Sequence, residues 1–277
     1  MGKSVVILSG GLDSTVALAK AVQESSYADV HALSFDYGQR HKKELEHAKA
    51  ITDHYTVEHH IVDLTSITPL ISNSSQTSED IAVPHGHYAE ENMKATVVPN
   101  RNMIMLSIAI GWAVNIDAAQ VVFGVHAGDH DIYPDCRPEF VDKMDEIAAI
   151  ANWHPVEVYA PFRNMTKADI VAEGDELVVP WALTWSCYEG GEIHCGKCAT
   201  CIERREAFYH ALVDDPTIYQ VSLMESFAIG KIHFVERDLL RYTFDGENIP
   251  DEMKKLQSNA TARFAVMKHD RSKEAEA

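Results

Sequence analysis

The amino-acid sequence predicts an α/β fold: an open, mostly parallel, doubly wound sheet followed by a helical segment that four cysteines hold together. Three observations carry this expectation. Short β-branched runs alternate with helix-length amphipathic stretches from Lys3 to Val158, the pattern of strands covered by helices on both faces. The first run, Val5-Val6-Ile7-Leu8, stops abruptly at Ser9-Gly10-Gly11 and a helical pattern begins at Asp13. Four of the five cysteines crowd between positions 187 and 201.

Taken in order, Lys3–Leu8 reads as the first strand and Ser14–Gln23 as the first helix, with Val16, Leu18, Ala19 and Val22 toward a sheet. Between them lies a strand–glycine–helix turn of the kind that cradles phosphate. Gly10 and Gly11 lack a Cβ and let backbone approach an anion closely. The helix start then offers free N–H groups and the positive end of its dipole. Asp13 and Ser14 are suitable capping residues there, and the Ser14 hydroxyl can also donate to a phosphate oxygen. Neither the Gly-x-x-x-x-Gly-Lys-Ser/Thr loop nor Gly-x-Gly-x-x-Gly occurs at this turn, so the commoner phosphate and dinucleotide signatures are excluded.

Val30–Phe35 is the second strand, ending in Asp36–His41, and a helix with Leu45, Ala48 and Ile51 follows. Glu58–Val62 is the third strand. Ligands of such sheets bind at the carboxyl ends of the strands, so the first two turns should border one crevice. The Ser/Thr-rich stretch Thr65–Val83 has no periodicity, which fits either a lid or a surface excursion. Arg101 precedes the apolar stretch Met103–Val114, read as a buried helix, and a guanidinium at that helix start would suit an anion site. Gln120–Gly124 is the fourth strand, Pro138–Ala151 a helix opened by proline, and Val156–Val158 the fifth strand. Thr166 and Asp169 form the N-terminal signature of another helix. Its first-turn Lys167 runs against the dipole preference, as a cation meeting an anionic ligand would.

Cys187, Cys195, Cys198 and Cys201 are spaced as two Cys-x-x-Cys steps sharing Cys198, with a partner across Gly190-Gly191. Four converging thiolates make a closed tetrahedral site suited to one structural Zn²⁺, and an Fe–S cluster can use the same ligands. His194 is available as a donor, but four sulfurs need no fifth. Cys136 has no near partner in sequence and reads as a small apolar filler. The helix from Ala199 to Val213 ends at Asp214–Thr217. Beyond it the signal weakens: a short helix and a strand in 221–242, a helix over Pro250–Gln257, and a disordered end over Lys268–Ala277.

Acidic residues outnumber Lys and Arg by 42 to 24, a formal charge of −18. Long nucleic acids are bound largely by neutralising phosphates with cations, so direct binding of RNA or DNA is disfavoured and a small-molecule substrate favoured. The longest apolar run is too short to span a membrane. The first strand begins almost at the N-terminus, leaving no room for a signal peptide, and a cytoplasmic location is expected.

Ser9-Gly10-Gly11-Leu12-Asp13-Ser14 after an N-terminal strand resembles the pyrophosphate loop of the N-type ATP pyrophosphatases. With Ser34–His41, Val98-Pro99-Asn100-Arg101-Asn102, Tyr133–Phe140, Trp185-Ser186-Cys187-Tyr188 and the four cysteines, the chain resembles the 7-cyano-7-deazaguanine synthases of queuosine-precursor biosynthesis from about Lys3 to Tyr219. Leu12 and Asn100 stand where that family often has Gln and Gly. The resemblance implies an adenine nucleotide α-hydrolase-like sheet and a ligase that adenylates 7-carboxy-7-deazaguanine. Ammonia then gives an amide, and an ATP-driven dehydration gives the nitrile. It implies ATP contacts along Leu8, Ser9, Gly10, Gly11, Leu12, Asp13, Ser14, Thr15, Val16, Ala17 and Leu18. It makes Asp13 the candidate Mg²⁺ ligand, and Arg101, Lys167 and Lys197 the candidates to offset phosphate or carboxylate charge. The residues after the cysteines are too few for a glutamine amidotransferase domain, so free ammonia is the expected nitrogen donor. A homodimer is what the family suggests. Another adenylating amide ligase, or a tRNA-thiolation enzyme, is the alternative. The expected organisation is an ATP-binding domain over residues 1–160, a helical metal-binding subdomain over 161–221, and an extension over 222–277.

Overall fold

The computed structural model describes residues 2–25, 27–88 and 90–230. Five parallel strands carry the architecture: β1 (Lys3–Ile7), β2 (Val30–Asp36), β3 (Glu58–Asp63), β4 (Ala118–Val122) and β5 (Glu157–Tyr159). Their spatial order is β3-β2-β1-β4-β5. The chain therefore builds outward from β1 on one side, returns, and continues on the other, so the strand order reverses between β1 and β4. A reversal of this kind splays the connecting loops apart and opens a crevice at the strands' carboxyl ends.

Strand side chains alternate between two cores, as the period of two requires. Val5, Leu33 and Val121 join the core covered by α4 (Arg101–Asn115) and α5 (Pro138–Ala151). Val6, Ala32 and Val122 join the core covered by α1 (Leu12–Glu24), α2 (Lys43–Tyr55), α6 (Lys167–Glu176) and α7 (Ala199–Ala211). The short helices α3 (Glu90–Met93) and α8 (Leu223–Gly230) complete the set among the described residues. Near-continuous apolar strands are what burial on both faces demands. The edge strand β3 is mostly exposed and correspondingly polar.

All five expected strands form, and α5 has the expected limits. The helix α4 begins at Arg101 itself rather than at Met103, because Asn100 takes the left-handed conformation (φ 59°) as its N-cap. Only one stripe of it is buried, Met105, Leu106, Ala109, Ile110 and Ala113 with Asn102, while Met103 stays 40% exposed. The α1 helix starts with Gly11 as N-cap and no side-chain cap. Asp13 and Ser14 do not cap it, because each is engaged elsewhere. The Ser14 hydroxyl meets the Ser9 hydroxyl at 3.0 Å and accepts from the Ser9 N–H at 3.2 Å. Asp13 turns to Lys167. Thr166 caps α6 as its sequence predicts, with the reciprocal Asp169 contact in place.

The Ser/Thr-rich stretch is packed in its middle and exposed at Thr65, Leu70 and Asp80. Residues Thr65–Leu70 form a 3₁₀ turn, Ser74, Ser75 and Gln76 are buried, and the Gln76 carbonyl accepts from the Arg40 N–H at 2.7 Å. The compact unit runs to Gly230, so the boundary expected at residue 160 falls inside it; α6 packs on both α1 and α7. The strand, helix and disordered end expected beyond residue 230 lie outside the described residues.

Two glycines set how closely the layers approach. Gly10 has φ +87°, and a Cβ there would sit 2.3 Å from the Glu44 carbonyl oxygen of α2. Gly11 needs no such conformation and has Ser9 Oγ as its nearest neighbour, at 3.2 Å. Gly10→Ala should therefore cost about 2 kcal/mol of unfolding free energy, measured by denaturant titration. Gly11→Ala should cost well under half as much. Equal losses would refute this account of the loop.

Candidate active site

A cavity of about 210 Å³ opens at the carboxyl ends of β1, β2 and β4, against the Ser9–Ser14 loop. Leu8, Ser9, Asp13 and Ser14 line it from that loop. Gly124, after β4, packs directly against the loop, where a Cβ would lie 3.2 Å from Asp13 C and Ser14 N. The other loop-region residues expected at ATP fall short of the cavity lining. Gly10 and Gly11 form the turn, Leu12 is buried, and the Thr15 hydroxyl donates to the Gly11 carbonyl at 2.6 Å. Val16, Ala17 and Leu18 are fully buried beneath the sheet. Their helical positions point them at the core, so they support the loop from below.

Lys167, the first residue of α6, reaches into this cavity. Its Nζ lies 3.0 Å from Asp13 Oδ2 and 3.0 Å from Glu203 Oε2. Burial alone would pull its pKa down, but Asp13, Glu203 and Asp129 outweigh burial and hold the ammonium protonated. Burial pushes the Glu203 carboxyl up, and Lys167 and His126 draw it back. His126 is buried; its Nδ1 accepts from the Gly128 N–H at 3.0 Å, and its Nε2 lies 3.3 Å from Lys167 Nζ. Asp13 Oδ1 is buried with no hydrogen-bond partner among the described residues, a carboxylate oxygen with capacity to spare for a cation.

Arg101, Tyr37, Tyr88, Tyr133 and Tyr188 also line the cavity, and the Tyr88 hydroxyl donates to Asp129 Oδ1 at 3.1 Å. Arg101 donates a long 3.4 Å hydrogen bond to Tyr37 Oη. No carboxylate among the described residues lies in salt-bridge range of it, in contrast to Lys167. Its helix start is fixed by the neighbouring Asn102, whose N–H donates to Asp135 Oδ2 at 3.0 Å and whose amide donates to Cys136 Sγ at 3.2 Å. Cys136 thus lines the cavity as well as filling space. Burial raises the hydroxyl pKa of all four tyrosines, so they stay neutral. A charged guanidinium among neutral aromatic rings can take an anionic group on a planar ring system.

The ligating atoms of Cys187, Cys195, Cys198 and Cys201 lie within 4.8 Å of one another, and all four residues are buried. Metal–thiolate bonds of about 2.3 Å in a tetrahedron require S···S separations of about 3.8 Å, and Cys195 and Cys201 stand 3.9 Å apart. Backbone N–H groups of Lys197 and Cys198 point at Cys195 Sγ, at 3.3 and 3.2 Å, as they would toward a thiolate. The set therefore fits a metal ion. His194 is no fifth ligand: its Nε2 accepts from the Ser186 N–H at 3.0 Å, and burial with nearby Arg204 pushes its pKa down to about 3. Lys197 belongs to this knuckle and not to the cavity lining; its carbonyl accepts from Gly86, and its charge acts on Glu225.

Cys198 caps α7 and Cys201 lies in its first turn, so the cysteine site sets that helix's position. Glu203 and Arg204 follow directly. Arg204 is 1% exposed and pairs with Asp215 at 3.2 Å, while Thr184 Oγ1 accepts from its Nη1 at 2.7 Å. Sequence reasoning brought forward Asp13, Arg101 and Lys167, and these do line one cavity. It missed Glu203, Asp129 and the tyrosines. The Ser34–His41, Tyr133–Phe140 and Trp185–Tyr188 motifs contain three of those tyrosines, but only the fold shows which way they face.

Residues 3–212 match the model of the family described as queuosine biosynthesis protein QueC. Among curated relatives, a 7-cyano-7-deazaguanine synthase 2 from Colwellia psychrerythraea is 52% identical over 80% of this chain and 100% of its own length. A 7-cyano-7-deazaguanine synthase from Pseudoalteromonas translucida is 53% identical over 79% of this chain and 99% of its own. Among solved structures, an NMN synthetase from Francisella tularensis aligns over 81% of both chains with 18% identity and a TM-score of 0.46.

The buried Arg204–Asp215 pair should anchor α7. Asp215→Asn leaves the guanidinium uncompensated and should lower stability by about 3 kcal/mol, measured by denaturant unfolding. A loss below about 0.5 kcal/mol would show that the pair does not anchor the helix.

Proposed function

The chain belongs to the QueC family of queuosine biosynthesis proteins, and from that premise we propose that it is an ATP-dependent carbon–nitrogen ligase, a 7-cyano-7-deazaguanine synthase. The observation that carries the reading is the opening of the Ser9–Ser14 loop into the same cavity as Arg101 and the tyrosines. A carboxylate is a poor electrophile, and a phosphate ester of its oxygen supplies a leaving group. In the proposed sequence the carboxylate oxygen of 7-carboxy-7-deazaguanine attacks the α-phosphorus of ATP and pyrophosphate leaves. Ammonia attacks the acyl carbon and AMP leaves, giving the amide. The amide oxygen then attacks the α-phosphorus of a second ATP and pyrophosphate leaves; AMP departs with that oxygen as the nitrogen gives up its two protons, leaving the nitrile.

Catalysis of this kind is mainly positioning and charge stabilisation. The loop's backbone N–H groups and the Ser14 hydroxyl would hold the leaving pyrophosphate, with the positive end of α1 behind them. Lys167 would offset the charge that grows on it. Asp13, through its unpartnered Oδ1, would hold Mg²⁺, which neutralises phosphate charge when bound. Arg101 would hold the substrate carboxylate while the tyrosines flank the ring. Lys197 fits the metal knuckle better than the phosphates. The donor set of four sulfurs in a closed site favours one Zn²⁺ per chain that stabilises the fold and takes no part in the reaction. The ATP-binding portion over residues 1–160 and the metal-binding portion over 161–221 remain a useful functional division.

The charge of −18 supports small-molecule substrates over direct nucleic-acid binding. No helix of the described residues is long and apolar enough to cross a membrane. A cytoplasmic homodimer using free ammonia completes the proposal.

Incubation with ATP, an ammonium salt and 7-carboxy-7-deazaguanine should yield the nitrile, AMP and pyrophosphate, detected by mass spectrometry. Glutamine should not replace ammonium. ATP turnover without the nitrile would refute the reading, and salt-dependent tRNA binding would favour a thiolation enzyme. Arg101→Ala and Lys167→Ala should each lower kcat/KM by about 100-fold; full turnover of either variant at saturating ATP would remove its role. Elemental analysis should find one zinc per chain, lost in Cys198→Ser. Iron with acid-labile sulfide would identify a cluster instead.

A further inference from the structure

Asp13, Asp129 and Lys167 line the cavity, whereas Glu203 does not. It meets the Lys167 ammonium from α7, behind the cavity wall, with its side chain 12% exposed. A lysine stem has several free torsions, and holding its charge in one place carries an entropic cost. Two carboxylates on different elements meet that cost here, one from the phosphate loop and one from the cysteine-anchored helix. Their situations differ. Asp13 belongs to the loop that faces the ligand and has a buried oxygen without a partner, so its contacts are the ones that incoming phosphate and cation rearrange. Glu203 lies outside the cavity lining, so its contact with Lys167 need not change when Asp13 takes up a cation.

We propose that Glu203 is a positioning residue of the adenylation site, one that fixes the Lys167 ammonium at the Ser9–Ser14 loop. This rests on the synthase reading above. It gives the closed cysteine site a consequence for the reaction without placing any metal in it. Cys198 and Cys201 hold the start of α7, α7 holds Glu203, and Glu203 holds the cation.

The test is a double-mutant cycle on the full chain with its metal: wild type, Glu203→Gln, Lys167→Met and the double variant. Each single change should lower kcat at least about 30-fold with KM for 7-carboxy-7-deazaguanine within about threefold. The double variant should be no worse than Lys167→Met within about threefold, because both changes remove one function. Glu203→Asp should recover part of the lost kcat. Metal content should stay unchanged in all of them. Losses that multiply in the double variant, or wild-type kcat in Glu203→Gln, would overturn the proposal. If Glu203→Gln does not fold or loses its metal, the cycle with Glu203→Asp decides by the same criterion. The same cycle read as pyrophosphate affinity by calorimetry needs no turnover; each single change should weaken binding at least about fivefold and the double no further. Absence of nitrile from the wild type would sink the synthase reading, while additive losses in pyrophosphate affinity would sink the role of Glu203.

Discussion

The Lys167 ammonium stands 3.0 Å from carboxylates that come from residues 13 and 203 of the chain. To bring these three groups together, the start of α1, the start of α6 and the first turns of α7 must converge at one end of the sheet. Each convergence has its own local cause. Gly10 and Gly124 remove the side chains that would block the approach to α2 and to β4. The Thr166–Asp169 capping box fixes where α6 begins, and so where Lys167 is. The cysteines fix α7. Burial would otherwise drive Lys167 to lose its proton, and the surrounding carboxylates reverse that tendency. A cation kept charged inside a cavity wall is suited to meeting an anion there.

The parallel sheet explains why the rest of the site lies where it does. Tyr37 follows β2, Gly124 follows β4, and the Ser9–Ser14 loop follows β1, so one end of the sheet collects them. Arg101 arrives differently, from the start of a helix that packs on the far core. The two cations thus approach the cavity from opposite layers of the fold. Lys167 is neutralised by the protein's own carboxylates, while Arg101 keeps its charge beside tyrosine rings. That asymmetry distinguishes a cation held between carboxylates from one held against an aromatic ring.

Much of this was legible in the sequence because the relevant signals are local. Strand runs, the Ser-Gly-Gly turn, the capping box and the cysteine spacing each depend on residues within about fifteen positions of one another. The assignments that shifted depend on distant partners. Asp13 looked like a helix cap until Lys167, 154 positions along the chain, claimed it. Val16, Ala17 and Leu18 lie next to the phosphate loop in sequence, but helical geometry turns them into the core. Glu203 gave no signal at all. It sits among Arg204, Arg205 and Glu206 in a run of four charged residues, yet Glu203, Arg204 and Arg205 are largely or wholly covered.

The covered charges of α7 suggest what a four-cysteine cluster able to hold a metal contributes to a chain of this size. The α7 helix is only 13 residues long, and its inward face carries Thr200, Arg204 and Arg205 as well as apolar groups. A helix of that length is marginal on its own, and two of its eight buried residues are arginines whose desolvation offsets part of what its apolar groups contribute. Arg204 is matched by Asp215, and Arg205 by the carbonyls of Val221 and Ser222 with the Tyr219 ring beneath it. These contacts satisfy the charges but supply little net stability. Metal–thiolate bonding at the helix start can supply the remainder, because binding free energy at a site absent from the unfolded chain is folding free energy. On this argument the cysteines permit a polar helix where an apolar one would be easier to fold. The return on that arrangement is a carboxylate held rigidly behind Lys167.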